Sequence, residues 1–305
     1  MMKQISIISG KGGAGKTSLT ACLASLAQNA MVADCDVDAS DLHLVLNPQV
    51  IERGAFRCGK KAYISKDKCI DCRVCFDLCA FEAVQPVETM AGTVYQVDSL
   101  ACEGCGVCVR YCPVGAIELR EEENGEWFRS HSRLGPMTHA TLQVAKENSG
   151  KLSTLVRRHA FEWGQSLGCD WILIDGPPGI GCPVIAAISG VDLVLIVTEP
   201  TLSGFHDMER VVELSHHFDI PAVICVNKYD INRDITHSIT MRGIELGTPV
   251  VGRIPYDSSF VEAQINQMSL TEFSNGPSAI AIRELWRTIK QRLTLSSEVS
   301  KKGAN

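Results

Sequence analysis

The chain has 305 residues, of which 45% are hydrophobic, and carries a formal net charge of -6 at pH 7. This length predicts one large domain and a smaller one, with enough apolar residues for a sizeable core. The negative charge and the lack of a basic stripe argue against nucleic acid as a partner, because neutralising phosphates needs clustered Lys and Arg. Because no apolar run reaches the ~18 residues that cross a bilayer, we expect a cytoplasmic protein that does not bind membranes.

The first predicted elements are a strand at residues 5–8, a glycine-rich loop and a helix at residues 18–27. The loop fits the pattern G-x-x-x-x-G-K-[ST], in which backbone N–H groups surround phosphates. In this pattern Lys16 neutralises the β and γ oxygens and Thr17 holds magnesium, so the loop predicts a nucleotide site, most simply for ATP. The candidate ATP-binding residues are Gly10, Lys11, Gly12, Gly13, Ala14, Gly15, Lys16, Thr17 and Ser18.

A second buried strand is predicted at residues 31–34, and an acidic segment continues from its end. Asp34, Asp36, Asp38 and Asp41 fall within eight residues. Placing four carboxylates close together costs free energy through mutual repulsion, unless a bound cation or a catalytic role accounts for them. Asp36 and Asp38 are therefore candidate catalytic residues, and a solvated acidic turn is the alternative.

Between about residue 52 and residue 120 the sequence changes to short, cysteine-dense segments, which predicts an inserted domain. Eight of the 14 cysteines form two arrays with the same spacing, so the insert contains an internal duplication. Such arrays in a cytosolic chain indicate metal rather than disulfides. The arrays are Cys69, Cys72, Cys75 and Cys79, and then Cys102, Cys105, Cys108 and Cys112.

Each array resembles the bacterial ferredoxin run, in which three close cysteines bind one 4Fe-4S cluster and the fourth binds the other. Structural zinc is the alternative, because tetrahedral sites use the same ligands. In the first array Asp71 and Arg73 replace the glycines at 104 and 106, which affects the expected potential more than the ligation. The resemblance implies that cluster 1 uses Cys69, Cys72, Cys75 and Cys112, and that cluster 2 uses Cys79, Cys102, Cys105 and Cys108.

Alternating strands and helices are predicted again from residue 126. We expect a strand at 127–130, helices at 138–147 and 151–167 separated by a breaker, and a buried strand at 171–175. That strand ends in Asp175, a position from which a carboxylate holds magnesium through water. The histidines at 131, 139, 216 and 217 are expected to be exposed.

The remaining predicted elements complete an α/β domain. They are a buried strand at 193–197, a helix capped by Ser203, strands at 222–226 and 250–257, and helices from about 258 and 277. The residues after 295 are polar and are expected to fray.

The loop sequence K-G-G-x-G-K-T at residues 11–17 resembles the deviant Walker A loop of the MinD, ParA, Mrp and nitrogenase iron protein superfamily. The resemblance implies that Lys11 contacts phosphate across a nucleotide-sandwiched homodimer, and that Asp36 orients the magnesium shell or the attacking water. It also implies that Gly179 senses the γ-phosphate and that four residues lie near the base: Asn227, Lys228, Pro255 and Asp257.

The same resemblance implies a doubly wound, mostly parallel α/β sheet with an inserted α+β ferredoxin-like domain. The expected divisions are an ATPase domain at 1–55 and 121–292, the insert at 56–120 and a flexible tail at 293–305. Cys182 lies where the nitrogenase iron protein carries a ligand of its bridging cluster, so it is a speculative thiol at the dimer interface. Cys22, Cys35, Cys58, Cys169 and Cys225 are expected to be core or incidental thiols.

The expected function is an ATPase that couples ATP and Mg2+ to electron transfer through two 4Fe-4S clusters, with a redox protein as partner. An ATP-dependent carrier of metal clusters, with a cluster-accepting partner, is the alternative. A positioning ATPase of the MinD or ParA kind is disfavoured, because the sequence lacks a membrane helix and a basic surface.

Overall fold

The computed structural model describes residues 2–90, 92–143 and 148–302, with side chains as far as residue 295. It divides into two compact units. The first unit contains residues 2–54, 126–142 and 148–302, and the second contains residues 55–125 and residue 143. None of the helices in these ranges is long and apolar enough to cross a membrane.

Eleven strands and eleven helices follow one another along the described chain. The strands are β1 Lys3–Ser9, β2 Ala30–Asp34, β3 Gln49–Ile64, β4 Val84–Thr89, β5 Gly92–Val97, β6 Ile117–Ser132, β7 Gly135–Leu142, β8 Trp171–Pro178, β9 Leu193–Thr198, β10 Ala222–Asn227 and β11 Val250–Ile254. The helices are α1 Lys16–Ala27, α2 Leu42–Leu46, α3 Val74–Asp77, α4 Val107–Tyr111, α5 Ser149–Ser166, α6 Cys182–Ile188, α7 Leu202–His217, α8 Arg233–Glu245, α9 Ser259–Ile265, α10 Leu270–Phe273 and α11 Pro277–Lys302.

Nine strands form one sheet in the order β11-β10-β9-β1-β8-β2-β7-β6-β3. The strands from β11 through to β7 pair in parallel wherever their register is defined. Strands β1, β2, β8 and β9 are almost wholly buried, as strands covered by helices on both faces are. This arrangement confirms the predicted fold class.

The register of β1 determines where the glycine-rich loop lies. Ile7 pairs with Asp175 of β8 on one side and with Leu195 of β9 on the other. Because parallel strands end at the same edge, the loop after β1 begins beside Asp175. This edge is where open α/β sheets bind their ligands.

Several local predictions were wrong. The helix expected at 138–147 is instead β7 as far as Leu142, and residues 144–147 lie outside the described part of the chain. The cap of α7 is Thr201, whose side chain accepts from the Gly204 N–H, rather than Ser203. Helix α5 begins at Ser149, so the expected breaker opens the helix, and α11 continues to Lys302 through most of the expected tail.

His139 also differs from its expected exposure, whereas His131, His216 and His217 are exposed. His139 is only 8% exposed, lies on β7 and stacks on the ring of Phe128 at 4.9 Å. Its Nε2 lies 2.9 Å from the Ser130 hydroxyl. Residues 137–140 form a buried run because β7 lies between β2 and β6, a pairing that local periodicity does not reveal.

The second unit contains the antiparallel pair β4 and β5 and the short helices α3 and α4. Its two cysteine arrays share a backbone conformation as well as a spacing. Asp71 and Arg73 have φ of 52° and 65°, and the corresponding Gly104 and Gly106 have φ of 64° and 77°. The internal duplication therefore extends to left-handed turns, which the first array forms without glycine.

Candidate functional site

The glycine-rich loop connects β1 to α1 through two left-handed glycines, Gly13 and Gly15, with φ of 82° and 89°. A Cβ added to Gly15 would lie 2.5 Å from Nδ2 of Asn227, so the close approach also requires glycine. The Asn227 amide donates to the Ala14 carbonyl at 3.0 Å, and this side chain is buried. Asn227 therefore supports the loop directly, a contact that the sequence did not predict.

Buried charges gather where the loop meets the strand ends. Lys16 is 6% exposed, and its Nζ lies 3.9 Å from Oδ2 of Asp36. Asp175 is fully buried, and its Oδ1 accepts from the Thr20 hydroxyl at 3.0 Å. Burial raises the pKa of Asp175 to about 6, although Lys16 and the Thr17 hydroxyl oppose the shift. Burial also raises the pKa of Asp36.

This cluster fits a magnesium ion. Oδ2 of Asp175 is buried and has no hydrogen-bond partner among the described residues. The buried carboxyl groups of Asp34, Asp36 and Asp175 lie where β2 and β8 end, and in their ionised forms they outnumber the one buried lysine, Lys16, which lies beside Asp36. A hard divalent cation with oxygen ligands would supply the missing positive charge. Thr17 at the start of α1 and Asp175 are the residues that would hold it.

Asp34 is a site residue to which sequence reasoning gave no role. Its Oδ1 accepts from the Asp36 N–H at 3.2 Å and its Oδ2 accepts from the Ser40 hydroxyl at 2.8 Å. Asp34 therefore braces the acidic segment and positions Asp36 near Lys16. Burial and the neighbouring Asp175 raise the pKa of Asp34 well above its usual range. Its place at the end of a buried strand was the available signal.

A cleft of about 320 Å³ extends from the loop to the residues predicted to lie near the base. This volume is in the range of small-molecule pockets. Tyr256 and Phe260 were not predicted as site residues. The cleft is lined by Gly13, Gly15, Ser18, Asn227, Lys228, Pro255, Tyr256, Asp257, Ser258, Phe260 and Val261.

The remaining predicted residues of the nucleotide site are placed as follows. Lys11 Nζ donates to the hydroxyls of Ser203 at 2.9 Å and Thr201 at 3.3 Å. Gly179 has φ of 94° and its N–H donates to the Ser9 carbonyl, so it stays next to the loop. Asp38 is exposed, and Asp36 rather than Asp38 faces Lys16.

Cys182 is exposed at the first residue of α6. Among the described residues, no three His, Cys, Asp or Glu side chains converge on a point that one metal ion could occupy. A bridging role for Cys182 thus stays a prediction. Of the thiols expected to be incidental, Cys58 is half-buried and the others are buried: Cys22, Cys35, Cys169 and Cys225.

In the second unit each predicted ligand set lines its own cavity. The sets pair three cysteines of one array with the fourth of the other, as the ferredoxin resemblance implies. One cavity is lined by Cys69, Cys72, Cys75 and Cys112, and the other by Cys79, Cys102, Cys105 and Cys108.

The chemistry of these thiols fits 4Fe-4S clusters. Each set of four thiols lines one cavity, which is the grouping that one 4Fe-4S cluster per set would need. The N–H groups of Ala83 and Ala116 donate to the sulfurs of Cys79 and Cys112 at 3.3 and 3.2 Å, and such hydrogen bonds would orient these sulfurs as cluster ligands. Burial raises the pKa of Cys75 to about 11, a cost that metal binding would offset.

Comparison with known proteins gives matches to the whole chain and to part of it. The family model of the CobQ/CobB/MinD/ParA nucleotide binding domain matches residues 5–270. An uncharacterised protein of Methanocaldococcus jannaschii is 32% identical over 300 residues, which cover 95% of this chain and 98% of that protein. The pyruvate synthase subunit PorD of Thermotoga maritima is 40% identical over 70 residues, 23% of this chain and 66% of that subunit.

Among solved structures, the cell division ATPase MinD of Pyrococcus furiosus aligns with a TM-score of 0.56 and 19% identity. The alignment covers 95% of this chain and 99% of that one. At this identity the likeness shows the fold alone. Together with the partial match to a ferredoxin-type subunit, these matches confirm the predicted resemblance to MinD and ParA ATPases with an inserted ferredoxin domain.

Proposed function

Because the chain belongs to the CobQ/CobB/MinD/ParA nucleotide-binding domain family, we propose that it is an iron–sulfur ATPase. In this proposal it binds and hydrolyses ATP with Mg2+ and couples the cycle to electron transfer through two 4Fe-4S clusters. One observation carries the proposal: the same chain contains a cleft that joins the phosphate loop to the predicted base site, and two cavities that are each lined by a complete set of four cysteines.

The nucleotide part rests on the buried charges at the end of β1. The loop N–H groups and Lys16 would bind the phosphates, while Thr17 and the unpaired oxygen of Asp175 would hold magnesium. Asp36, held beside Lys16, would orient the attacking water or the magnesium shell. The base would occupy the cleft beside Asn227, Lys228, Pro255 and Asp257.

The cluster part rests on the crossed ligand sets. Bound 4Fe-4S clusters would supply one-electron storage at the two cavities. Backbone N–H groups directed at the sulfurs would stabilise the added negative charge of the reduced state. The partner would be a redox protein that exchanges one electron at a time.

We also propose that ATP closes a homodimer in which Lys11 leaves its own Thr201 and Ser203 to contact the phosphate of the other copy. This proposal is supported by the loop sequence K-G-G-x-G-K-T and by the half-exposed position of Lys11, whose Nζ is held by two hydroxyls.

A cluster carrier is the second candidate function. Cys72 and Cys105, one thiol in each set, are exposed to solvent. Exposed ligands would allow a cluster to be passed to an acceptor protein. Transfer of iron to an apo-protein, measured under anaerobic conditions, separates this function from electron transfer.

The central experiment measures iron, electron spin resonance and ATP turnover on anaerobically purified protein. We expect about eight irons per chain and two reducible signals. Lys16→Ala should abolish turnover while leaving the iron content unchanged, and Cys75→Ala should lower the iron content. Cys58→Ala, in the same unit but outside both ligand sets, is the control. Zinc in place of iron, or normal turnover by Lys16→Ala, would contradict the proposal.

A further inference from the structure

The first cysteine of each array has a different electrostatic environment, although the two arrays share their spacing and backbone conformation. In the first array Oδ1 of Asp71 lies 3.5 Å from Sγ of Cys69. In the second array the residue that corresponds to Asp71 is Gly104, which has no side chain. Because Cys69 and Cys102 belong to different predicted ligand sets, this difference distinguishes cluster 1 from cluster 2.

Asp71 brings a negative charge to a predicted ligand of cluster 1. Its backbone is left-handed, with φ of 52°, and aspartate is one of the few residues other than glycine that adopt this conformation. Metal binding would remove the thiol proton of Cys69, so its sulfur would then face the carboxylate as a second negative group. Adding an electron to the cluster would increase this repulsion, and such repulsion lowers a reduction potential.

Cys102 instead lies beside hydrogen-bond donors and a positive charge from β3. The N–H groups of Ala62 and Gly104 donate to its sulfur at 3.5 and 3.4 Å, and the Lys61 ammonium donates to its carbonyl. Strand β3 can approach this closely because position 104 is glycine, where an added Cβ would lie 1.9 Å from the Lys60 carbonyl oxygen. Donors and a cation beside a ligand favour the reduced state, so they raise the reduction potential of cluster 2.

Two kinds of N–H contact are common to both ligand sets and therefore do not separate them. The N–H four residues after the last cysteine of each array donates to that sulfur, at 3.3 and 3.2 Å. The N–H two residues after the first cysteine interacts with that sulfur in both arrays. Within the described part of the second unit, the Ala62 donor and the Lys61 ammonium are what Cys102 has in addition.

Two other charged side chains line the cavities, one in each. Arg73 lines the cavity of cluster 1, and its Nε donates to Asp77 at 2.9 Å, so a carboxylate already balances its charge. Glu103 lines the cavity of cluster 2 and opposes the effect of Lys61, which is bound to the carbonyl of the preceding residue. These two pairs leave the Asp71 carboxylate as the unbalanced charge, and it lies at cluster 1.

We infer that cluster 2 has the higher reduction potential of the two, and that Asp71 and Lys61 are the residues that separate the potentials. A single electron on the protein would then reside mainly at cluster 2. An electron delivered to cluster 1 would pass to cluster 2, which oxidises the first by one electron and reduces the second by one, with no bond or proton transferred. This inference deepens the proposed function and rests on it, since it assumes that both clusters are bound.

The test measures both midpoint potentials of the anaerobically purified full-length protein, by titration with dithionite followed by electron spin resonance. Asp71→Asn and Lys61→Met each remove one charge. Asp67→Asn is the matched control for the first, because Asp67 is exposed and lines neither cavity. Lys60→Met is the control for the second, because neighbouring side chains of a strand point to opposite faces and Lys60 is exposed.

In the wild type we expect two one-electron steps whose equilibrium constants differ at least tenfold, a separation of about 59 mV or more. Asp71→Asn should raise the lower midpoint by about threefold in the equilibrium constant, about 28 mV, and leave the upper one in place. Lys61→Met should lower the upper midpoint by a similar amount and leave the lower one in place. The two controls should move either midpoint by less than half as much.

Equal midpoints in the wild type would overturn the inference, as would equal shifts in Asp71→Asn and Asp67→Asn. The order is also refuted if Asp71→Asn moves the upper midpoint or Lys61→Met the lower one, as expected if Glu103 dominated. The iron content of each variant is measured first, and if one variant loses iron the other decides the result. A wild type that binds no clusters would instead overturn the proposed function, so the wild-type iron content distinguishes the two failures.

Discussion

Replacing Gly15 by alanine tests whether Asn227 supports the phosphate loop. The substitution places a side chain at φ of 89°, where a left-handed conformation costs about 1–2 kcal/mol. It also places Cβ 2.5 Å from Nδ2 of Asn227, so that amide must leave the Ala14 carbonyl. Losing that buried hydrogen bond costs about 1 kcal/mol more. We therefore expect Gly15→Ala to lower the free energy of unfolding by about 2–3 kcal/mol.

Gly13→Ala is the matched control. Gly13 has a similar φ of 82°, but nothing lies within 4 Å of an added Cβ, so it should show the conformational cost alone. In an Asn227→Ala background, Gly15→Ala should cost no more than Gly13→Ala. The expected coupling energy between Gly15 and Asn227 is therefore about 1 kcal/mol.

Urea unfolding followed by tryptophan fluorescence measures these energies, because all four tryptophans lie in the first unit. Binding of a fluorescent ATP analogue gives the functional cost. Additive effects of Gly15→Ala and Asn227→Ala would refute the reasoning, since they would mean that the two residues do not compete for the same space.

Three further predictions concern other parts of the molecule. Burial and His43 lower the pKa of His139 to about 4 from 6.5, so its contribution to stability is complete above pH 6.5 and is lost as the pH falls towards 4. As the pH falls through that range, the free energy of unfolding, measured by urea titration, should therefore decrease less in His139→Gln than in wild type, by up to about 3 kcal/mol. The same pH dependence in both proteins would contradict this. Gly104→Ala should destabilise the second unit and lower its iron content, because the added Cβ would lie 1.9 Å from the Lys60 carbonyl oxygen. An unchanged iron content would contradict this close approach. In wild type, Mg2+ at a concentration a hundredfold above its Kd should stabilise the ATP complex by about 3 kcal/mol, and Asp175→Asn should abolish this gain in thermal stability. An unchanged stabilisation by Mg2+ in the variant would show that Asp175 does not bind the metal.

The structure brings together the residues of the phosphate loop and those of each predicted cysteine set, while their roles stay predictions. The phosphate loop and the cysteine arrays are defined within eight to eleven residues, so the chain itself brings their members together. The crossed cluster sets needed one additional fact, the ferredoxin resemblance, because nothing in either array alone indicates that its fourth cysteine serves the other cavity.

Predictions of isolated segments were less accurate. Residues 138–142 form a strand because β2 and β6 are available to pair with them, and His139 is buried for the same reason. Thr201 caps α7 because its extended backbone directs its hydroxyl to the Gly204 N–H, whereas Ser203 already lies inside the helix. Each outcome depends on partners or on a backbone conformation that the local sequence pattern does not specify.

The sequence by itself indicated the candidate residues for nucleotide and cluster binding, because the phosphate loop and the cysteine arrays are contiguous and their spacing is typical of such sites. Only the tertiary structure decided which distant residues support them. Asn227 meets Ala14 across 213 positions, and the Ser153 hydroxyl donates to the carbonyl of Cys35, which lies between Asp34 and Asp36. Buried donors and acceptors need hydrogen-bond partners, and the tertiary packing determines which distant groups lie close enough to serve as those partners.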